Sequence, residues 1–424
     1  MARARGSNAK LYGVIETEYG VTPSAGFYKL PFVSSAVGDE QTLVEDDTLG
    51  LGREAGDPSL DVINNAGDIV VPACVRNLGF WFKCLFGDPV TEQGIAAEGK
   101  ITFSAQPVAG SSIDINGVEF TFGTEIAIGS TLKATVGNVV AALSASVNAL
   151  VSVASYRTSA KGNAVEITYN DLGVAGNAFT LSVSTDPVSN ATVSGATLTG
   201  GAATGAYRHT FKSGASTLNS ASIEVGMPDV PTYAVNYGLG VDTLSFDMGR
   251  SGNLNFTMGC IARGEADRTK VSSVTGTLKE LEQKRLTQFS GSVLSDGVPI
   301  GDIVSSSYKF SNNLDKVEVI AEDGRIAGVD PGKVAVTGQD VMRFSDTALL
   351  IKAASGTPIQ QERRWKISST MQFTITNHRV FLPKPKVPIS GPDGVQITLA
   401  WQSAKDSAKG CMVTAVLVND VESY

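Results

Sequence analysis

Alternation of apolar and polar side chains dominates the second half of the sequence. From residue 205 onward, short segments place an apolar side chain at every second position, a pattern typical of antiparallel strands with one buried face. Turn dipeptides such as Asp296-Gly297 and Asp323-Gly324 separate several of these segments. The predicted strands are Tyr207–Phe211, Ser222–Val225, Asp242–Met248, Leu254–Met258, Gln288–Val293, Ser307–Ser311, Lys316–Ile320, Gln372–Thr376, Val395–Trp401 and Cys411–Val418. The pattern predicts a mainly β fold, an antiparallel β-sandwich or barrel with one or two helices.

Two strands and one helix are predicted before residue 90. Phe27–Ser34 and Ser59–Pro72 have the composition of strands. Val75–Gly87 is predicted to form a short helix that Gly87-Asp88-Pro89 terminates. Apolar side chains recur on one face of this helix, and we interpret them as core packing. These residues are Leu78, Trp81, Phe82, Leu85 and Phe86.

Residues 97–203 differ in composition from the rest of the chain. They contain seven acidic and four basic side chains and no Cys, Trp, Met or His, and Gly- and Ala-rich runs flank them. An Asn116-Gly117 dipeptide predicts a hairpin turn, and helical spacing predicts an amphipathic helix from Thr131, with Ser130 as its N-cap. The apolar positions of that helix are Leu132, Val136, Val139, Val140, Leu143 and Val147. We therefore predict a small α+β domain inserted into a β core formed by residues 27–94 and 205–424.

Two polar segments near the N-terminus lack a clear period. Residues 1–26 are predicted to form an arm that carries Arg3, Arg5 and Lys10. Residues 38–58 are predicted to form a long acidic loop, and loops of this length within compact domains are usually functional or disordered. Because it is too polar to order alone, we hypothesise that the loop orders on a neighbouring copy of the chain and pairs with the arm.

Composition and charge limit the classes of protein to which this chain can belong. Hydrophobic residues make up 42% of the 424 residues, enough for a sizeable core, whereas the net charge of −8 and the absence of a dense basic run argue against general nucleic-acid binding. The four cysteines lack metal-binding spacing and are predicted to be buried, reduced thiols. Residues 134–156 are uncharged but contain too many polar side chains for a membrane span. No signal peptide is predicted.

No motif indicates catalysis, and we predict no enzyme activity, cofactor or metal. The two histidines, His209 and His378, lie in strand-like contexts, and no serine stands in a nucleophile elbow. Gly328–Val334 is one residue shorter than a phosphate loop and lacks the hydroxyl after Lys333. A pair of carboxylates for sugar hydrolysis leaves no local motif, so a carbohydrate-active enzyme is kept as an alternative.

Several short patterns resemble a known family. Glu16, Gly20 and Pro23 match a Glu-x-x-x-Gly-x-x-Pro stretch, and the match continues at Leu30–Phe32, at the acidic loop with Glu45 and Arg53, at Arg76–Pro89 and at Tyr207–Phe211. Over residues 8–92 and 205–424 the chain resembles bacteriophage tail tube proteins, also called major tail proteins. Residues 97–203 resemble a module inserted in phage structural proteins, through Thr102–Ala105, Ile115–Val118 and Gly173–Leu181.

The resemblance implies a siphovirus-type role. Subunits would form hexameric rings that join their sheets edge to edge and stack into a tube around a tape measure protein. Genomic DNA would later pass through without specific binding during genome ejection, and the tube would end at tail terminator and distal tail or baseplate proteins. The implied location is the virion tail, assembled in the host cytoplasm, with no membrane involved. The residues we assign to contacts between rings are Arg3, Arg5, Lys10, Glu40, Glu45, Asp46, Asp47 and Arg53.

Two related roles stay open at this point. The chain could be another virion structural protein, such as a capsid-decorating or receptor-binding subunit. It could also be the inner tube of a contractile injection machine, because the subunit fold would be similar and the sequence does not reveal whether a sheath exists.

Overall fold

A computed structural model describes residues 3–50, 53–300, 303–345, 347–389, 391 and 394–424. Its contacts divide the chain into two compact units. Unit 1 comprises Met1–Pro89, Phe211–Leu286 and Ser307–Gly338, and unit 2 comprises Val90–Thr210, Thr287–Ser306 and Gln339–Tyr424. Strands account for 47% of the residues and helices for 10%, so the predicted mainly β fold with antiparallel sheets is confirmed.

Within the described residues there are 29 strands and three α-helices, numbered in chain order. The helices are α1 (Leu78–Phe86), α2 (Leu132–Ala145) and α3 (Ala348–Ser355). The strands are β1 (Lys10–Ile15), β2 (Tyr28–Lys29), β3 (Ser34–Ser35), β4 (Asp39–Val44), β5 (Ser59–Pro72), β6 (Val90–Ile95), β7 (Glu98–Phe103), β8 (Ser112–Ile115), β9 (Val118–Thr121), β10 (Ala154–Thr158), β11 (Ala164–Tyr169), β12 (Leu181–Val183), β13 (Ala191–Val193), β14 (Ala202–Lys212), β15 (Ala221–Met227), β16 (Thr232–Met248), β17 (Asn255–Ala262), β18 (Gly264–Glu265), β19 (Lys279–Glu280), β20 (Gly291–Ser295), β21 (Val298–Pro299), β22 (Ile303–Ser311), β23 (Asp315–Val317), β24 (Gly328–Asp330), β25 (Ala335–Arg343), β26 (Ile359–Ser368), β27 (Met371–Phe381), β28 (Gln396–Ala404) and β29 (Val413–Asn419).

The sheet of unit 1 is antiparallel over its long strands. β15 pairs with β1 and β16, β16 pairs with β17, and β17 pairs with β5. Lys10–Ile15 therefore belongs to this sheet although it was predicted as part of the arm. Leu11, Tyr12 and Val14 are buried, and this burial explains why the segment is held in the fold.

Helix α1 supplies the aromatic core of unit 1, as its apolar period predicts. All five predicted packing residues are buried. The Phe82 ring lies 5.7 Å from Phe211, and the Phe86 ring lies 4.9 Å from Phe310, both in edge-to-face geometry. The helix ends at Gly87, whose φ of 89° favours glycine.

Unit 2 contains neighbouring strands in the order β20–β26–β27–β29–β14–β6, and β28 also pairs with β27. Residues 97–203 add two smaller sheets, β10–β11–β7–β13 and β12–β8–β9, and these share a separate apolar core with α2. The predicted hairpin turn is confirmed, because Asn116 and Gly117 have φ angles of 53° and 82° between β8 and β9.

Several local predictions are wrong. Thr131, not Ser130, caps α2, because its Oγ1 accepts a hydrogen bond from the Ala134 N–H at 3.2 Å. The helix ends before Val147, which is 98% exposed. Gln288–Ser290 is a 3-10 turn. Strand β23 stops at Val317, and the next two apolar residues, Val319 and Ile320, are exposed. Helix α3 was not predicted, because eight residues are too few for a clear period.

The structure bears on the predictions for the cysteines and for a membrane span. The four cysteines are free and buried, as predicted. No helix among the described residues combines the length and the apolar character that crossing a membrane requires.

Candidate assembly surface

An exposed hairpin occupies the segment that was predicted as an acidic loop. β4 pairs with β5 from Asp39 opposite Asn65 to Val44 opposite Ser59. β5 pairs with β17 only between Asn65 and Pro72, so Gln41–Val44 and Ser59–Val62 form a two-stranded ribbon. The prediction of a loop is therefore wrong for residues 39–44. Residues 51 and 52 of the predicted loop lie outside the described residues.

The base of this hairpin is fixed within unit 1. The Asp39 carboxylate lies 2.6 Å from the Arg325 guanidinium, and it also accepts hydrogen bonds from the Asn65 side-chain amide at 2.9 Å and the Glu265 N–H at 2.8 Å. The Asp39 carboxylate raises the pKa of Arg325 through this hydrogen bond, against the lowering effect of burial. The contacts orient the ribbon at the point where it leaves the sheet.

One face of the ribbon is apolar and open to solvent. Leu43 lies opposite Leu60 on this face, and Val62 is a further apolar residue of the ribbon, next to the register shift between Gln41 and Leu43. The exposed fractions of Leu43, Leu60 and Val62 are 61%, 70% and 54%. A hairpin of two strands is marginally stable in water unless its apolar face packs against something. This face is the main candidate for contact with another molecule, and we call it the ribbon face.

The end of the hairpin is acidic. Glu45, Asp47, Glu54 and Asp57 are exposed, and Asp46 is half-buried. Thr48 donates its hydroxyl and its N–H to the Asp46 carboxylate, and these hydrogen bonds lower the pKa of Asp46. We call these five carboxylates, within residues 45–58, the acidic tip. The sequence predicted the charge but not the ribbon face, because strand pairing decides which side chains share a face.

The predicted interface residues do not form one cluster within the chain. Arg3, Arg5 and Lys10 are exposed, and so are Glu40 and Arg53 on the hairpin. The backbone N–H of Arg5 and the side-chain amide of Asn8 both donate to the Asp229 carboxylate, so the arm is tied to unit 1. Residues 1 and 2 lie outside the described residues.

Glu16, the first residue of the matched motif, has a structural role that the sequence did not disclose. Its buried carboxylate accepts hydrogen bonds from the Gly20 and Gly238 N–H groups at 2.8 Å and from the Ser220 and Ser222 hydroxyls at 2.6 Å. It thus joins the segment after β1 to β16 and to the start of β15. Burial, together with the nearby Glu16 charge, raises the pKa of Tyr19 to about 12.

Residues 97–203 are docked onto the host strands of unit 2. Arg157 forms a bidentate ion pair with Glu362 at 2.7 and 2.9 Å. Two further pairs, Arg364–Glu166 at 3.1 Å and Lys366–Glu98 at 2.7 Å, lie along the same face of β26. The three pairs make this contact a defined docking surface, because alternate residues of one strand meet three different partners.

The turn between β20 and β21 adds an apolar contact. The Thr158 N–H donates to the Gly297 carbonyl at 2.9 Å, and Val298 packs against the core that contains α2. Gly297 has a φ of 79°, and a Cβ there would lie 3.0 Å from Val140. The Asp296-Gly297 turn that the sequence identified therefore also anchors residues 97–203.

A buried histidine fixes the C-terminal segment of unit 2. The His209 Nε2 lies 2.9 Å from the Val421 carbonyl oxygen, so it carries the proton and donates. Nδ1 then accepts a hydrogen bond from the Thr91 hydroxyl, also at 2.9 Å. Burial lowers the pKa of His209, although the hydrogen bonds to Val421 and Asn419 partly oppose this effect. The neutral ring is the form that fits the folded state.

We expect folding stability to decrease as the pH falls from 7.5 to 5.5. In the unfolded chain His209 takes up a proton as the pH falls below about 6.5, the ordinary pKa of histidine. In the folded chain its pKa is lower, so protonation favours the unfolded state. Urea unfolding at both pH values will measure this. The variant His209→Gln should show a smaller decrease than the wild type, and an equal decrease in both would contradict this assignment.

The fold and this surface define a mainly β protein with an exposed apolar hairpin. The family model described as phage tail tube protein matches residues 6–403, and the chain belongs to that family. It is therefore a structural component of a phage tail. A comparison with curated proteins finds no match.

Proposed function

We propose that this chain is the repeating subunit of the tail tube, forming hexameric rings that stack. The tube would enclose the tape measure protein, conduct DNA during ejection, and end at terminator and distal tail or baseplate proteins. It would assemble in the host cytoplasm. The observation that carries the proposal is the ribbon face, because a chain of this family with an exposed apolar hairpin gains stability by burying it against another copy.

The hairpin is the proposed contact between successive rings. Burying a leucine side chain contributes about 1.5–3 kcal/mol, so Leu43 and Leu60 of the ribbon face can dominate the contact. The cations Arg3, Arg5 and Lys10 of the arm are the counterpart that the sequence predicts, and exposed pairs of this kind contribute about 0–1 kcal/mol each. Charge would therefore set the register of the contact more than its strength.

Electron microscopy of the purified protein is the direct test. We expect stacked rings with a central hole. Separate particles without rings would favour the alternative of a capsid-decorating or receptor-binding protein. The net charge of −8 per chain supports a lumen that repels phosphate, and a basic lumen in a structure of the tube would contradict that part of the proposal.

We further propose that residues 97–203 brace the subunit as a fixed part of unit 2. The support comes from the three ion pairs on β26 and from the Gly297–Val298 anchor. A domain held only by its two linkers would not need matched charges on the host strand.

Glu362→Ala tests the brace. The Glu362 carboxylate is only 6% exposed, so removing it leaves the Arg157 charge without its bidentate partner and should cost about 2–3 kcal/mol. We expect faster amide hydrogen exchange in β10 and β11, measured by mass spectrometry. Glu166→Gln is the matched control, because that carboxylate is 41% exposed and its loss should have a smaller effect. Unchanged exchange in Glu362→Ala would contradict the bracing role.

A further inference from the structure

A basic stripe lies on unit 2 of this otherwise acidic chain. Arg379 lies opposite Ala404, and Lys405 directly follows Ala404 at the end of the β27–β28 pairing. Lys384 and Lys386 follow β27 by three and five residues. Together with Lys409 in the turn before β29, we call these five cations the basic stripe. At the rise of an extended chain, about 3.3 Å per residue, the stripe is up to about 25 Å long.

The stripe is open and almost free of opposing charge. The four lysines are exposed. Among the described residues of the segments that carry the stripe, 379–391 and 405–409, the only carboxylate is Asp406. It accepts hydrogen bonds from the N–H groups of Ala408 and Lys409 at 2.8 and 2.9 Å. Asp406 thus stabilises the turn, and its two backbone hydrogen bonds and the charges of His378 and Arg379 lower its pKa.

Apolar side chains accompany these charges. The Arg379 guanidinium lies 5.4 Å from the centre of the Phe381 ring, and Val387 and Ile389, next to Lys386, are 39% and 80% exposed. The segment also contains Pro383, Pro385 and Pro388, which lack the N–H that a neighbouring strand would need. This segment therefore offers a partner charged and apolar side chains and fewer backbone donors than a strand would.

We propose that the acidic tip of one copy binds the basic stripe of another copy. This inference rests on the proposed tube assembly and names the receptor of the hairpin. The tip matches the stripe in charge and in apolar character. It carries five carboxylates, whereas Arg53 is the one basic residue among residues 45–58, and the side chain of Leu49 lies in the same segment and is 94% exposed. DNA phosphates could pair with the lysines, but they would make no favourable contact with the apolar residues between them. The arm offers only three cations and is already tied to Asp229.

A charge exchange tests the pairing. The tip variant E45K/D47K and the stripe variant K384E/K386E each put like charges opposite one another, and each should reduce the fraction of protein that sediments as tubes about tenfold. Combining the four substitutions should restore that fraction to near the wild-type value. The control K161E/K270E changes two exposed lysines elsewhere and should assemble normally.

Three outcomes would overturn the pairing. The first is normal assembly of K384E/K386E with unchanged retention of DNA. The second is rescue of the tip variant by R3E/R5E in place of the stripe substitutions, which would make the arm the receptor. The third is a stripe variant that assembles normally and loses only the retention of DNA, which would make the stripe a DNA contact. If the wild type forms no tubes, the proposed function itself fails, and this result is distinct from all three.

Discussion

Replacing Leu43 and Leu60 with aspartate should prevent tube formation and leave the subunit folded. Both side chains are more than 60% exposed, so a charge there costs the isolated chain little. In the assembled tube the same change removes about 3 kcal/mol or more of apolar burial and buries two carboxylates. We expect the concentration required for assembly to rise by at least about 100-fold, measured by sedimentation.

The control for this prediction has the same chemistry at another surface. Val271 and Ile320 belong to unit 1 and are 75% and 108% exposed, but they lie outside the hairpin. The variant V271D/I320D should assemble like the wild type. If both double variants fail equally, or if L43D/L60D still forms tubes, the ribbon face is not the assembly contact. Thermal melting of each variant checks that the subunit remains folded.

The second large effect is expected from a buried charge in unit 2. Asp340 and Arg363 are 2% and 0% exposed and form an ion pair at 3.2 Å. Arg363 also donates to the Ser306 hydroxyl and the Gln361 side-chain carbonyl, and its guanidinium lies 4.7 Å from the centre of the Trp401 ring. The network therefore holds β25 against β26 and β28 through one arginine.

Asp340→Ala should destabilise the chain by about 3–5 kcal/mol, because it leaves the Arg363 charge buried without a carboxylate. Urea unfolding measures this change. Replacing both partners, as in D340L/R363M, should recover much of the loss, since no unpaired charge remains. Glu280→Gln is the matched control, because its pair with Lys29 is 62% and 47% exposed and should contribute less than about 1 kcal/mol. A cost of Asp340→Ala similar to that of the control would contradict the role of the network.

Local patterns identified the elements whose side chains carry a strong period. Helix α1, the full extent of β5 and the Asn116-Gly117 turn follow from neighbours within a few residues, because the helical period, β-propensity and turn geometry are local properties. The same reasoning failed at Val147 and at Val319 and Ile320. These residues continue an apolar pattern in the sequence, but they follow the last residue of α2 or β23 and have no surface to pack against.

Composition also identified the acidic segment and the boundaries of residues 97–203 as features of interest. It could not show that Leu43 meets Leu60, that Glu362 meets Arg157, or that Arg379 lies opposite Ala404, because each pair joins residues from different elements. The sequence by itself determined the fold class, the packing helix and the balance of charge, since these depend on side-chain type and short-range spacing. Only the tertiary structure decided which charges are neutralised within the chain and which apolar face stays open, because strand pairing brings together residues that are distant in sequence.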